Sequence, residues 1–448
     1  MSPSTNTSLD TESTIQTQES GVPVENIENF STPIPALVSE SHPVVDKVQQ
    51  GQSQAQPLSQ PPVKPAPQPR PKKKNSLEFS GAKKNLGKFE KYFFRWFPTP
   101  SYIAMPHVGV DITANAIRYI ELVKSYDGLK LKRYGTQDLA SPISMDGNLA
   151  NNADLMAALK KIQRANKLSF VEVSIPEEKA YLFTTEVPVG DDDVVRSHIE
   201  FHLEENVPIS LSEAVFDYYV IKRSVKRGVD FASVAVVPRS VIDDYVDLFK
   251  KCDMTPISFL IENQAVTKAI IKEDDYSTYL VVNFGQKKTV LSVVSEQALQ
   301  FTSTVSIGGD DFINAIMKEN NVSRDEAVRM KVSKGFTRNP DNASFFMSLV
   351  NAASALRDEI ERVRMYWLSY MEKSGKDTSI PFKILLAGED SSIIGFREYM
   401  ALSLKIQVEL ANVWINVLSF DEEIPPIEYL ESLDYATVIG LALPKSGS

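Results

Sequence analysis

The chain has 448 residues and a formal net charge of −10, with 48 Lys and Arg against 58 Asp and Glu, which argues against a nucleic-acid partner. It is long enough for more than one domain. The single cysteine, Cys252, excludes an internal disulfide and a multi-cysteine zinc site, and it favours a reducing cytoplasmic compartment. No run approaches the ~20 apolar residues of a membrane span, and the first residues lack the pattern of a signal peptide.

Residues 1–82 are predicted to form a disordered arm rich in Pro, Gln and Ser. Fourteen of the 26 prolines lie in the first hundred residues, and such a composition cannot bury enough apolar surface to offset the entropy of ordering the chain. Residues 1–60 have a net charge of −6, whereas residues 61–100 have a net charge of +8. The arm is therefore acidic at its start and basic towards its end.

Residues 83–105 form a basic aromatic segment. Leu86, Phe89, Phe93 and Trp96 fall at helical spacing, opposite several lysines. One interpretation is an amphipathic helix that makes a peripheral membrane contact through residues 83–97 on an anionic surface. The other is that these aromatic side chains dock onto the folded part of the chain, and the sequence leaves both open.

From residue 106 onward, β-rich runs alternate with helical segments, as is typical of an α/β protein. We predict strands near 107–112, 116–123, 129–135, 171–175, 180–187, 215–223, 231–237, 256–260, 278–284, 287–295, 298–306, 382–387 and 405–410. We predict helices near 152–166, 192–206, 240–252, 262–273, 309–319, 323–333, 343–372, 392–403 and 432–442. Within the long helix 343–372, the predicted buried face comprises Phe346, Val350, Ala353, Leu356, Ile360, Val363 and Trp367.

An approximate internal repeat is the most informative feature of this region. Residues 107–122 and 280–294 each read as an apolar strand, a polar turn and a second β-branched strand. The N–H groups of a tight turn can hold phosphate oxygens, and an Asp at the end of a strand can hold magnesium through water. Two such turns facing each other would clasp the phosphates of a nucleotide.

Two glycine-containing turns follow in the second half, at residues 306–311 and 385–390. Each lies between a strand and a helix, where glycine permits a close approach of the backbone and a helix N-terminus offers free N–H groups. The alternative interpretation is a simple turn in which Asp310 or Asp311 caps the helix. The sequence pattern does not separate the two.

Residues 106–442 resemble the PilM family of type IV pilus assembly proteins, in the actin-like ATPase superfamily and related to FtsA. The stretches that carry the resemblance are, in order, VGVDITANAIRYIEL, IEFHLEENVPISLSEAVFDYYV, ISFLIENQAVTKAI, LVVNFGQKKTVLSV, FTSTVSIGGDDFINAI, LRDEIERVRMYW, ILLAGEDSSIIGFREYM and YATVIGLALP. Their order and spacing cover essentially the whole part of the chain with α/β character.

The resemblance implies an α/β, actin-like fold of two lobes with duplicated ribonuclease H-like cores and with ATP and magnesium between them. The first lobe would span 106–275, with a small inserted α+β subdomain at about 184–255. The second would span 276–444, with an upper subdomain at about 312–375.

The resemblance also implies roles for individual residues. Asp111 would face magnesium through water, and Glu262 would polarise the attacking water as the catalytic residue. The implied nucleotide contacts are Asp111, Ile112, Thr113, Ala114, Asn115, Asn283, Gly285, Lys288, Thr289, Gly308, Gly309, Asp310, Glu359, Arg362, Gly388 and Glu389.

The sequence departs from the family pattern at two of these positions. Asn283 stands where an acid is usual, so it supplies no charge to a metal ion. Glu389 stands where a second glycine usually follows Gly388, and its bulky anionic side chain would enter the adenosine region. Because hydrolysis needs charge placed where it develops in the transition state, we predict nucleotide binding with slow or absent hydrolysis.

The predicted function is that of a cytoplasmic scaffold at the inner face of the cytoplasmic membrane, in a type IV pilus or related secretion machine. The resemblance implies that it binds the N-terminal peptide of a PilN-like inner-membrane protein, alongside other pilus platform proteins. Self-association is left open. The alternatives are an FtsA-like membrane tether for filaments and an active ATPase of the same superfamily.

Overall fold

The computed structural model describes residues 107–125, 128–145, 148–221, 229–339, 342–373, 382–420 and 423–444. The predictions for the arm at 1–82 and for the basic aromatic segment at 83–105 lie outside these residues. None of the described helices is long and apolar enough to cross a membrane.

The described residues contain thirteen strands and ten α-helices. The strands are β1 His107–Ile112, β2 Ala116–Ser125, β3 Gly128–Asp138, β4 Phe170–Ile175, β5 Tyr181–Pro188, β6 Ala214–Ile221, β7 Val229–Pro238, β8 Thr255–Ile261, β9 Tyr279–Phe284, β10 Thr289–Ser295, β11 Ala298–Val305, β12 Lys383–Ala387 and β13 Val408–Leu410. The helices are α1 Ala153–Asn166, α2 Asp192–Asn206, α3 Arg239–Lys251, α4 Glu262–Ile270, α5 Gly309–Asn320, α6 Arg324–Lys334, α7 Ala343–Lys373, α8 Phe396–Leu404, α9 Tyr429–Ser432 and α10 Ala436–Ala442.

Two five-stranded sheets with the same topology form the centres of the two lobes. The first has the order β3-β2-β1-β4-β8 and the second the order β11-β10-β9-β12-β13. In each sheet an antiparallel three-stranded meander is followed by two parallel strands. Strands β9 and β10 are buried along their whole length, as expected for central strands covered on both faces. The internal repeat predicted from the two hairpins therefore extends to both sheets.

A third, antiparallel sheet is inserted between β4 and β8 and has the order β5-β7-β6. It forms a separate core with α2, to which Val187, Val195, Ile199, Leu203 and Val234 contribute. Helix α3 follows β7 but packs into the core of the first lobe through buried residues that include Tyr245, Leu248 and Phe249. The separate sheet thus ends at Pro238, whereas the sequence placed the end of the insertion near residue 255.

The long helix α7 buries a slightly different face from the predicted one. Its buried apolar side chains include Phe345 and Leu349, whereas Phe346 and Val350 are only partly buried. From Ala353 to Trp367 the buried residues are the predicted ones. Neighbouring residues on a helix point about 100° apart. In the first two turns of α7, the buried face is therefore rotated by about one residue from the predicted face.

Helices α4 and α10 cross closely and join the two lobes. A Cβ atom on Gly440 of α10 would lie 1.8 Å from the carbonyl oxygen of Ala265 in α4, so only glycine permits this crossing. Helix α10 also packs on β1, where a Cβ atom on Gly109 would lie 2.3 Å from the Val438 carbonyl oxygen. One core cluster includes Ile120 of β2, Val281 of β9 and most of α10. The lobes therefore share a continuous core beneath the cleft.

Candidate functional site

The turns of the two repeated hairpins meet across the cleft. Asp111 and Asn283 occupy the fifth position of the six-residue strands β1 and β9, and both side chains are buried. The Asn115 side-chain amide, in the first turn, donates a hydrogen bond to Oε1 of Gln286 in the second. The structure therefore brings together the two turns that the sequence predicted to face each other.

Asp111 is held by neighbours from two adjacent strands. Ser174, near the end of β4, donates a hydrogen bond to its Oδ1, and Arg118 lies directly opposite it in register on β2. Burial raises the pKa of the Asp111 carboxyl, against the lowering effects of Ser174, Arg118 and Lys288. A cation near this carboxylate would relieve the cost of burying its charge.

Glu262, the first residue of α4, is engaged through both of its carboxylate oxygens. Its Oε1 accepts a hydrogen bond of 3.2 Å from the Asn283 amide, and its Oε2 lies 3.6 Å from the Lys288 ammonium. Lys288 also pairs with Glu178. Burial raises the pKa of Glu262, whereas the Lys288 charge lowers it.

Glu177 is a buried acid of the cleft that sequence reasoning missed. It follows β4, and the Thr302 hydroxyl of β11 and the backbone of Asn263 lie near enough to lower the pKa of its carboxyl. Burial outweighs both and raises this pKa from 4.5 to about 7. It could have been suspected because ligands often bind where parallel strands end, and β4 is parallel to β1.

Arg118 also ties the two lobes together. Its guanidinium lies 2.9 Å from Glu389, after β12, and 3.5 Å from Asp434, before α10. We call Arg118, Glu389 and Asp434 the interlobe clamp. Burial raises the pKa of Asp434 to about 6, although the Arg118 charge lowers it. The Glu389 side chain thus has a specific basic partner on the first lobe, which its position after Gly388 did not reveal.

The backbone of the first turn is largely satisfied within the protein. The Thr113 hydroxyl donates to the Ala116 carbonyl at 3.1 Å and accepts from the N–H groups of Asn115 and Ala116. The carbonyl oxygen of Ala114 accepts from the Ile143 N–H. Ile112 is buried and packs in the first core. Side chains, rather than these N–H groups, are the groups most available to a ligand.

The second turn is likewise tied to the start of α5. The N–H of Gly309 donates to the Gly285 carbonyl at 3.0 Å, and the N–H of Asp310 donates to the Gln286 carbonyl at 2.8 Å. Thr289 uses its hydroxyl to donate to the Ile307 carbonyl at 2.6 Å.

The start of α5 has the capped turn that the sequence offered as the alternative interpretation. The Asp311 carboxylate accepts from the Gly308 N–H at 2.8 Å. The glycines here make room for other parts of the protein. A Cβ atom on Gly309 would lie 1.8 Å from the Asp390 carboxylate, which forms a buried ion pair with Lys331.

Three other predicted contacts have different surroundings. Gly388 has a φ of +88°, which favours glycine, and a Cβ atom there would lie 2.7 Å from Oδ1 of Asn283. Gly388 therefore belongs to the cleft. Glu359 and Arg362 pair with each other on α7, and no hydrogen bond or ion pair among the described residues links them to the two turns.

The inner wall of the cleft fits a hydrated cation. Oε2 of Glu177 and the hydroxyl of Tyr245 are buried without a hydrogen-bond partner, and Tyr245 lies in the electrostatic field of Asp111 and Glu262. Buried polar atoms of this kind mark places where water or an ion binds. Within the described ranges, no cluster of three or more His, Cys, Asp or Glu could coordinate a metal directly. The arrangement therefore suits an ion held through water by Asp111.

The sequence model of the family described as "Type IV pilus assembly protein PilM" matches residues 109–446, about three quarters of the chain. The chain belongs to the PilM family. Among solved structures, the PilM-PilN type IV pilus biogenesis complex matches with a TM-score of 0.60 and 18% identity, over 75% of this chain and 98% of that chain. The family resemblance and the actin-like fold predicted from the sequence are thus confirmed.

More distant similarity extends to other proteins. The ethanolamine utilization protein EutJ from Carboxydothermus hydrogenoformans matches with a TM-score of 0.43 and 14% identity, over 77% of this chain and 90% of that chain. MreB5 of Spiroplasma citri bound to ADP matches with a TM-score of 0.40 and 11% identity, over 75% of this chain and 95% of that chain.

Proposed function

We propose that this PilM-family chain is an actin-like scaffold on the cytoplasmic side of a type IV pilus assembly platform. It binds the N-terminal cytoplasmic peptide of a PilN-like inner-membrane protein and holds ATP with magnesium between its lobes. Family membership and the structural match to a complex of PilM with PilN support the partner. The facing hairpin turns carry the nucleotide part of the proposal.

Asp111 would hold magnesium through water, with Lys288 and Asn115 near the phosphates. Bound magnesium would supply positive charge that offsets the phosphates and the buried acids of the cleft. Because Asn115 and Gln286 form a hydrogen bond with each other, their side chains must separate to admit the phosphates between the turns. ATP binding is therefore expected to change how the two lobes contact each other.

We expect slow or absent hydrolysis because the hairpin strands bring only one acid, Asp111, to the cleft for a metal ion. Glu262, which would polarise the attacking water, already accepts a hydrogen bond from Asn283 and lies 3.6 Å from the Lys288 ammonium, whose charge lowers the pKa of its carboxyl. Asn283 also adds no second negative charge for a metal ion. The cleft thus suits a structural or switching ligand better than a substrate.

The inserted subdomain offers an apolar surface for a peptide. Val194 and Phe201 lie two turns apart on α2 and are 50% and 79% exposed. Val189 and Leu211, at either end of this helix, are also exposed. Helix surfaces of this kind commonly accept short apolar peptides, so we assign the PilN-like partner to this side of the subdomain.

Calorimetric titration with the N-terminal peptide of a PilN-like protein from the same organism tests the scaffold function. Phe201→Ser should weaken peptide binding by about tenfold or more, because a buried aromatic anchor contributes at least 1–2 kcal/mol. Leu402→Ser is the matched control, since Leu402 is 80% exposed on a helix of the other lobe. Absence of binding by the unaltered chain, or equal loss in both variants, would contradict the assignment.

A further inference from the structure

A shallow apolar hollow lies on the second lobe outside the cleft. Its volume is about 410 Å³, and its lining includes Phe420, Ile424, Pro425, Pro426 and Tyr429. Phe420, Ile424 and Tyr429 are 44%, 86% and 40% exposed. Grouped in one hollow, these side chains offer a small apolar surface to an occupant.

The rim of this hollow is mainly acidic. Glu428 lines it, and Glu423 and Glu431 are exposed beside it along the chain, whereas Arg397 is a basic neighbour of Tyr429. Lys130 at the start of β3 lies 3.9 Å from Glu423, with both side chains nearly half exposed. An apolar floor with an acidic rim fits an occupant that presents aromatic side chains between basic ones.

The hollow also lies close to the start of β1. His107 pairs with Leu122 of β2, and Leu122 pairs with Leu131 of β3, next to Lys130. Neighbouring strands are about 5 Å apart, so His107 is on the order of 10 Å from the strand whose Lys130 reaches Glu423. The chain therefore enters β1 at His107 within reach of the rim.

We propose that the basic aromatic segment docks in this hollow of its own chain, with Phe89, Phe93 and Trp96 on the apolar floor and Lys88 and Lys91 towards the acidic rim. Residues 83–97 carry five bases and one acid, so their net charge is opposite in sign to that of the mainly acidic rim. The nine residues 98–106 can span about 30 Å when extended, which is enough to reach. Docking also hides the face that would otherwise bind an anionic membrane.

Hydrogen exchange of residues 423–431 in the full-length chain tests the docking. Replacing Phe89, Phe93 and Trp96 together by Ser should speed this exchange by about tenfold, because the hollow loses its cover. Phe30→Ser, which removes an aromatic side chain from the arm instead, is the control and should leave exchange unchanged. Equal exchange in all three proteins would overturn the proposal.

Fluorescence of Trp96 gives an independent readout from the other side of the contact. Trp367 and Trp414 are buried, so a change in acrylamide quenching reports mainly on Trp96. Ile424→Ser should increase quenching without affecting folding, since Ile424 is 86% exposed. Leu402→Ser should have no effect. Unchanged quenching in Ile424→Ser would contradict docking in the hollow.

Two further outcomes would contradict an intramolecular contact and indicate a different occupant of the hollow. If protection of residues 423–431 disappears on dilution, the segment comes from a second copy of the chain. If protection appears only with vesicles of mixed neutral and anionic phospholipid, the occupant is a membrane surface. The proposal instead predicts protection independent of protein concentration, and stronger vesicle binding by Ile424→Ser than by the unaltered chain.

Discussion

Glu177 makes the stability of the cleft depend on pH. Its carboxyl is buried between the lobes and has a pKa of about 7 instead of 4.5. Because the pKa of Glu177 is raised in the folded state, its contribution to the free energy of unfolding is fully present below pH 4.5. This contribution is lost as the pH rises through about 7. The pKa is raised because burial disfavours the charged carboxylate, whose Oε2 has no hydrogen-bond partner.

Glu177→Gln should therefore flatten the dependence of stability on pH. The rise in pKa corresponds to about 3 kcal/mol of unfolding free energy. Between pH 5 and pH 8, the variant should therefore gain up to this much stability relative to the unaltered chain. Urea unfolding at both pH values measures the difference, with the exposed Glu186→Gln as control. Parallel pH dependence in Glu177→Gln and the unaltered chain would contradict this account.

Asn283 is a second residue of the cleft, and its lack of charge matters. Its amide donates to Glu262 at 3.2 Å, so Asn283→Asp would place two carboxylates together. We expect a loss of about 1–3 kcal/mol of unfolding free energy in EDTA, because a donor is replaced by a like charge. Magnesium with ATP should recover part of this loss. Thermal unfolding with and without these ligands provides the measurement, and an unchanged melting temperature in EDTA would count against the geometry described.

At the scale of elements, the tight crossing of α4 and α10 holds the two lobes on one core. Gly440→Ala should destabilise the protein by about 1–3 kcal/mol or more, because its Cβ atom would lie 1.8 Å from the Ala265 carbonyl oxygen. Gly190→Ala, whose Cβ atom would meet only the Val194 side chain at 3.3 Å, should change stability by less. Denaturant unfolding compares the two. Equal effects would show that the crossing can relax.

The strands and helices were largely predictable because their signals are local. All thirteen strands of the described residues lie near predicted positions, since each is a short apolar or alternating run bounded by turn residues. The first turns of α7 show the limit. Phe345 and Phe346 are equally apolar, and only packing against the second sheet decides which is buried.

The site was less predictable because its contacts join residues far apart in sequence. The family resemblance, together with a place near the end of a hairpin strand, singled out Asp111 and Asn283. Nothing local indicated that Glu389 would pair with Arg118, 271 residues earlier, or that Thr302 would contact Glu177. Such contacts depend on how the two lobes are oriented. The hydrophobic pattern of either lobe does not predict this orientation.

At the scale of the whole molecule, the interlobe clamp couples the lobes above their shared core. Arg118 and Glu389 lie 2.9 Å apart, and their side chains are 12% and 32% exposed. Arg118→Ala, Glu389→Ala and the double variant form a cycle, for which we expect a coupling free energy of about 0.5–3 kcal/mol in urea unfolding. Arg357 and Asp358, an exposed pair within α7, provide the control cycle, with a coupling expected near zero. Additive effects at Arg118 and Glu389 would argue against the clamp.

Calorimetric titration of the full-length chain with ATP and magnesium, with phosphate release followed on the same samples, tests the central claim most directly. We predict binding that weakens at least about tenfold in Asp111→Asn, is unchanged in the exposed control Asp154→Asn, and gives negligible phosphate release. Absence of binding by the unaltered chain, or steady phosphate release that depends on Glu262, would contradict a scaffold that holds ATP without hydrolysing it.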